Sequence, residues 1–240
     1  MGAAADWLAW RPEWPVAALS GAAWAVLLVQ HAGPSGAAGA HHGASTATTA
    51  STTSLTWWTV MCVAMMVPLA LPGARHVGLN SPHGRRLTGV AVFTTAFLLP
   101  WVGYGVVVLW LTDLALSRGV APVALGSGLL VLAAAWQLTH WKRQAVLSCS
   151  RSVPLAPFGR RAMTTRVEFG ARQSLRCMAA CWPLMALMAV LPHGRAGLLA
   201  MVLITLAMVA EAQSRHRRPL IPWLAAPLVL AAAVTGAVVV

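Results

Sequence analysis

The segment that decides the fold spans Leu87 to Leu111 and reads LTGVAVFTTAFLLPWVGYGVVVLWL, without one charged side chain. The hydrocarbon core of a bilayer is about 30 Å thick, and a helix needs about 20 mostly apolar residues to cross it. A run of this length and polarity therefore predicts a transmembrane helix rather than a core element of a water-soluble domain.

Six other stretches of the chain are nearly as apolar, and they extend the same prediction. The seven predicted spans are Trp14–Gln30, Leu55–Leu71, Leu87–Leu111, Val120–Thr139, Ser174–Leu191, Ala196–Ala212 and Leu220–Val240. Three of these stretches are short, and the last reads equally well as a loosely packed tail, so six spans is the alternative count. The predicted fold is an all-α, polytopic transmembrane bundle of about seven helices.

The composition indicates a lipid environment and argues against a nucleic-acid partner. Charged residues make up only 9% of the 240 positions, whereas a soluble domain carries about 25%. The net charge of +12 comes from Lys and Arg residues in the short links between apolar runs. That distribution is typical of cytoplasmic loops, and no nucleic-acid-binding motif accompanies it.

The positions of the basic residues predict how the chain is oriented. With the N-terminus inside, 15 of the 17 Lys and Arg residues lie in cytoplasmic segments, and only Arg118 and Arg195 lie outside. The opposite orientation is disfavoured because cytoplasmic loops carry an excess of Lys and Arg. We therefore expect a multi-pass protein of the bacterial cytoplasmic (inner) membrane, embedded in the lipid bilayer with anionic lipids at its basic inner face.

The chain is predicted to form one integral membrane domain over 1–240, with two longer connections. Residues 31–54 are rich in Gly, Ala, Ser and Thr, so we expect a flexible external loop there. Residues 142–173 predict a basic cytoplasmic loop. Its basic residues from Arg160 onward recur at about helical spacing, which favours an interfacial helix.

Candidate soft-metal ligands occur in the second predicted span, which reads WWTVMCVAMMVP over residues 57–68. On a helix, Met61 and Met65 lie one turn apart, as do Cys62 and Met66. Thioethers and thiolates suit Cu(I), but methionine also fills irregular contacts between helices. At this point both hypotheses, a ligand set and plain core packing, stay open.

The fifth predicted span places two more sulfur atoms on one helix face. Cys177 and Cys181 are one turn apart, and Met185 continues the same face. Pro183 has no N–H, so it should leave the carbonyl of Ala179 free between the two cysteines. Cysteine is also a common buried apolar residue, so packing is the alternative explanation for the pair.

A third cysteine, Cys149, follows the cytoplasmic end of the fourth predicted span. The predicted topology puts it on the same side of the membrane as Cys177 and Cys181, and nearby Lys and Arg residues would favour the thiolate form. Three sulfur atoms gathered on one side predict a soft-metal site, most simply for Cu(I). A redox-active thiol is a further interpretation of the same exposure.

Polar residues at the ends of predicted spans are additional candidates, because such residues are costly in a membrane. Gln137 and His140 end the fourth span, and Glu211 ends the sixth, where it would ligate a metal or pair with Arg215 one turn on. The predicted metal ligands are Cys149, Cys177, Cys181, Met65, Met66 and Met185, with Cys62, His140 and Glu211 as further candidates.

Three blocks of sequence carry a family resemblance. They are MCVAMMVP at 61–68, then Gln137-Leu138-Thr139 followed by Lys142 and Cys149, and CMAACWPLM at 177–185. They are similar to the M-x-x-A-M-M-x-P, Q-L-T-P-L-K with two following cysteines, and C-x-x-C-C-W-x-x-M blocks of one bacterial family. That family comprises predicted metal-binding integral membrane proteins and is known as domain of unknown function 2182.

The chain departs from this family at positions that matter for metal binding. The family pattern has cysteine where this sequence has Ala145 and Ala180. The resemblance therefore implies a site of up to five sulfur atoms that is reduced here to three cysteines. His140 or Met178 would be the residues available to compensate.

The sequence favours a membrane protein that binds or handles a soft metal ion, with copper as the expected metal, through a Cys/Met site at its cytoplasmic face. The alternative is a non-catalytic accessory or structural subunit of a larger membrane complex, because small residues on the spans allow close helix approach. No phosphate-binding loop, dinucleotide fingerprint, zinc-protease motif or nucleophile elbow occurs. Catalytic residues are therefore not predicted.

Overall fold

The computed structural model describes residues 11–32, 47–149, 153–156, 159–190 and 195–213. Within these ranges all regular structure is helical, which confirms the predicted all-α class. The helices are α1 (Trp14–Ala32), α2 (Ala47–Leu79), α3 (Arg86–Ser117), α4 (Pro122–Gln137), α5 (His140–Ser148), α6 (Gly159–Met188) and α7 (Arg195–Gln213). A single 3₁₀ turn, His83–Arg85, joins α2 to α3.

Three helices of the described chain are long and apolar enough to cross a bilayer. They are the Ser54–Leu79 part of α2, α3 and α7. A fourth candidate consists of α4 and α5 together, which are bent by 72° at the break between them. The predicted first span is the shorter apolar helix α1, and the predicted fifth span is the C-terminal half of α6.

Some predicted segments fall wholly or partly outside the described residues. The last predicted span, Leu220–Val240, is one of them, and so is most of the predicted external loop at 31–54. The end of that loop is described from Ala47 onward, and there it forms the first turns of α2. The predicted interfacial helix after Arg160 corresponds to the N-terminal part of α6, which continues without a break into the predicted fifth span.

Helix α3 lies between α2 and α6 and packs extensively against both. The aromatic rings of Phe93, Phe97 and Trp101 on α3 are fully buried in the core. Gly170 of α6 permits the close approach, because a Cβ atom there would lie 2.6 Å from the carbonyl oxygen of Phe93. Phe169 then packs against Phe93 with a ring-centroid separation of 5.2 Å.

Two prolines inside the helices, Pro183 and Pro68, free backbone carbonyls to which neighbouring helices donate hydrogen bonds. Pro183 of α6 leaves the carbonyl of Ala179 without its helical partner, and the indole N–H of Trp136 on α4 donates to it at 3.1 Å. This contact confirms the free acceptor predicted between the two cysteines. An unsatisfied carbonyl would be costly in an apolar environment, so the hydrogen bond ties α4 to α6.

Pro68 of α2 likewise leaves a carbonyl, that of Ala64, without its helical hydrogen bond. Trp24 and Ser20 of α1 both donate to that oxygen, at 2.9 and 3.1 Å. Pro68 of α2 therefore helps to fix the contact between α1 and α2.

Candidate functional site

The chain turns sharply between α4 and α5, and this turn directs Lys142 into the protein. Thr139 is the N-cap of α5, where its hydroxyl oxygen accepts a hydrogen bond from the backbone N–H of Lys142 at 3.3 Å. The side chain of Lys142 is only 1% exposed, which is rare for lysine. A buried ammonium group of this kind needs partners, since an unpaired buried charge is strongly destabilising.

Two buried residues accept hydrogen bonds from the ammonium group of Lys142. Its ammonium group donates to the side-chain oxygen of Gln137 at the end of α4 and to the Glu211 carboxylate on α7, 2.9 Å away. Gln137 is 1% exposed and Glu211 is 8% exposed, so all three polar groups lie in the interior. Arg215, the partner expected for Glu211 from sequence, lies outside the described residues; the ion pair observed is the one with Lys142.

A cavity of about 290 Å³ adjoins this buried network. It lies where the C-terminal ends of α2, α5 and α7 meet the middle of α6. Apolar side chains make up much of its wall, and the polar and sulfur-bearing residues stand out against them. Those residues are His76, Cys149, Gln173, Cys177, Cys181, Met208 and Glu211.

The cavity brings together the three cysteines that the sequence had placed on one side. Cys177 and Cys181 are buried on α6, one helical turn apart. The thiol of Cys181 also donates to the carbonyl oxygen of Cys177 at 3.0 Å. Cys149 enters the same cavity from the end of α5, and Arg176 holds that end by donating to the carbonyl of Ser148 at 3.2 Å.

None of the four cysteines, all of which lie in the described ranges, forms a disulfide. Within the described ranges, no group of three or more His, Cys, Asp or Glu side chains is close enough together to hold a metal ion. The compact unit in the cavity is therefore the pair Cys177 and Cys181, and Cys149 lines the same space without completing such a group.

Glu211 also lines the cavity, whereas the remaining predicted ligands do not. The side chains of Met65, Met66 and Met185 are completely buried in the hydrophobic core, and so is that of Cys62. His140 is exposed, with its ring against Trp141 at a centroid separation of 4.8 Å. Spacing along a helix thus identified a shared face for the methionines, but that face packs against neighbouring helices.

Three of the polar or sulfur-bearing cavity residues were not predicted from the sequence: Met208, His76 and Gln173. A signal for Met208 was present, because the buried residues Met201, Thr205, Met208 and Glu211 recur at helical spacing on one face of α7. His76 likewise shares a face of α2 with the cavity residues before it, Leu69, Pro72 and Gly73. Gly73 makes room for Gln173, whose side-chain oxygen would lie 2.5 Å from an added Cβ atom.

A comparison with known protein families assigns the chain to one of them. The family model described as PpoB2, copper chaperone, matches residues 55–235 of the 240-residue sequence. The chain belongs to this copper chaperone family. The match includes every residue named above as lining the cavity and the Lys142–Glu211 pair, whereas α1 and the first residues of α2 precede it. No curated protein and no solved structure matches the chain.

Membership of the PpoB2 copper chaperone family confirms the predicted link to metal handling and to copper at the level of the family. The resemblance to domain of unknown function 2182 stays a prediction, since the matching model carries a different name. The alternative of an accessory subunit also stays a prediction.

Proposed function

We propose that this protein is a membrane-embedded copper handler that holds Cu(I) as cargo in the cavity between α2, α5, α6 and α7. The ligands are the thiols of Cys177 and Cys181, with Cys149 and the thioether of Met208 as further soft donors in the same space. The observation that carries the proposal is that these four sulfur-bearing residues, from α6, α7 and the C-terminal end of α5, line one cavity.

The chemistry of the donor set selects the metal. Soft thiolate and thioether ligands prefer Cu(I), whereas Mg²⁺, Ca²⁺ and Mn²⁺ prefer carboxylate and carbonyl oxygen. The whole chain has five acidic residues, and the one in the cavity, Glu211, is engaged with Lys142. A hard metal ion would therefore find few suitable ligands here, and copper agrees with the family.

Lys142 has a defined place in this proposal. When two thiols bind Cu(I) and release their protons, the resulting group carries a net negative charge. Lys142 lies close enough to Cys181 for a direct electrostatic interaction, and it is already paired with Glu211. The buried ammonium group would stabilise the loaded, anionic site, which is costly to form in an apolar interior without a nearby cation.

A bilayer is the environment that fits the rest of the molecule. Large apolar side chains are exposed along the candidate spans, such as Leu99 and Trp110 on α3 and Leu203 and Leu206 on α7. Such side chains are compatible with lipid contact. We place the protein in the bacterial inner membrane with the N-terminus and the cavity toward the cytoplasm, as the distribution of basic residues favours.

The test is a Cu(I) titration of the purified full-length protein in detergent, under reducing and anaerobic conditions, against a chromophoric Cu(I) chelator. We expect tight, stoichiometric binding that is lost in Cys177→Ala and Cys181→Ala and weakened in Cys149→Ala. Cys62→Ala is the matched control, because Cys62 is equally buried but lies outside the cavity. Copper binding that survives all three cavity substitutions would refute the proposed site.

A further inference from the structure

A second feature is the side chain of Arg166, which lies against the start of α3 and does not line the copper cavity. The side chain of Arg166 on α6 is 6% exposed. Among the residues that the structure describes, no hydrogen bond or ion pair to its guanidinium group is found. A guanidinium group keeps its charge in proteins, so one on a largely buried side chain is stabilised by a counter-ion.

The acidic residues of the described chain do not reach Arg166. Glu13 pairs with Arg75, Glu168 with Arg172 and Glu211 with Lys142. Asp113 is near the opposite end of α3. The charge of Arg166 is therefore not balanced by a carboxylate within the described ranges, and an external anion is the natural counter-ion.

The guanidinium group lies against the first turn of α3, which is itself suited to an anion. Its Nε and Cζ atoms are 3.3 and 3.4 Å from the position that a Cβ atom would occupy at Gly89, the fourth residue of that helix. The N-cap residue, Arg85, makes no side-chain cap, and the first turn contains no acidic residue. The positive end of the helix dipole attracts negative charge at such an end.

Further positive charge surrounds this helix end. Arg85 precedes the helix and is exposed, and Arg86 is its first residue. Their positive charges add to the attraction of this helix end for an anion. Gly89 is needed for the arrangement, since any larger residue would displace Arg166 or the hydroxyl of Ser81, 2.8 Å from the added Cβ.

We propose that the first turn of α3 and the buried guanidinium of Arg166 form a binding site for a phosphate group. Arginine offers two parallel N–H donors to phosphate oxygens, and the helix end adds backbone N–H donors. The phosphate belongs either to the headgroup of an anionic phospholipid or to a free phosphate ion. The site does not depend on copper binding, because Arg166 does not line the cavity.

The experiment measures thermal unfolding and ligand binding of the full-length protein in a neutral detergent. One arm adds phosphatidylglycerol with phosphatidylcholine as its control, and the other adds inorganic phosphate with chloride at equal ionic strength. We expect phosphatidylglycerol, phosphate or both to stabilise the wild-type protein. Stabilisation by phosphatidylglycerol alone assigns a lipid headgroup, and stabilisation by phosphate assigns a free ion.

Arg166→Gln should weaken that binding by roughly tenfold or more, since a charged hydrogen-bond partner is lost. Without added anion, R166Q should be at least as stable as the wild type, because it removes an unpaired buried charge. A purely structural role for Arg166 would instead lower stability in every buffer. Arg172→Gln is the control on the same helix, since Arg172 is exposed and paired with Glu168.

Arg166→Lys covers the case in which R166Q does not fold. Lysine keeps the charge but offers no fork of parallel donors, so we expect the affinity to fall severalfold while the protein stays folded. The site is refuted if neither phosphatidylglycerol nor phosphate stabilises the wild type, or if the Arg166 variants respond to both as the wild type does.

Discussion

The buried pair of Lys142 and Glu211 gives the sharpest stability prediction. Lys142→Met removes the ammonium group that is 1% exposed and leaves the Glu211 carboxylate, itself 8% exposed, without its cation. Breaking a buried ion pair from one side typically costs about 3 to 5 kcal/mol. For a chain of this size each kcal/mol lowers the midpoint by about 2 to 4 °C, so the midpoint should fall by about 6 to 20 °C.

The assay is thermal unfolding in detergent followed by tryptophan fluorescence, which the 12 tryptophans make sensitive. Arg172→Met is the matched control, because the Arg172–Glu168 pair is more than half exposed. Pairs of that kind contribute less than about 1 kcal/mol. The double variant Lys142→Met with Glu211→Met should regain the larger part of the loss, since it removes both charges and keeps similar volume.

Two results would refute this reasoning. The first is a K142M variant that loses no more stability than R172M, which would mean that Lys142 is not a buried partner of Glu211. The second is a double variant that is less stable than K142M, which would mean that the loss came from packing rather than from an uncompensated charge.

Three further changes test other parts of the structure. Trp136→Phe removes the indole donor to the Ala179 carbonyl and should lower stability by about 1 to 3 kcal/mol in thermal unfolding. The control Trp141→Phe, at an exposed side chain, should change stability little. Equal losses of stability in both variants would contradict the role of Trp136. Gly170→Ala places a Cβ 2.6 Å from the Phe93 carbonyl oxygen and should destabilise the α3–α6 contact by about 1 to 3 kcal/mol or more. The control Gly128→Ala, with open space around it, should be neutral or stabilising by up to about 1 kcal/mol. A neutral G170A would rule out the close approach. Ala180→Cys adds a thiol to the cavity wall beside Cys177 and Cys181 and should raise the Cu(I) affinity by roughly tenfold in chelator competition; an unchanged affinity would show that this wall does not face the metal.

The helices could be predicted because apolar runs of sufficient length leave the chain few alternatives. Leu87–Leu111 became part of α3, and the fourth predicted span, Val120–Thr139, became α4. The free carbonyl at Ala179 was also predictable, since proline removes a donor at a fixed offset. The sequence alone did not identify Trp136 as the replacement donor, because the packing of the helices decides which neighbour lies beside the free carbonyl.

The candidate site was only partly predictable, for two physical reasons. Helical spacing says which residues share a face but not what that face contacts, so Met65 and Met66 were proposed as ligands and lie in the core. Local pairing rules cover residues one turn apart, and they suggested Arg215 for Glu211. The observed partner, Lys142, is 69 positions away in sequence and is brought close only by the bend between α4 and α5.

X-ray absorption at the copper K edge of the Cu(I)-loaded, full-length protein tests the central claim most directly. We predict that sulfur dominates the first coordination shell, that this signal is lost in the Cys177→Ala, Cys181→Ala double variant, and that it is unchanged in Cys62→Ala. A shell of nitrogen and oxygen only, or a sulfur signal that survives removal of both cavity cysteines, would contradict the account.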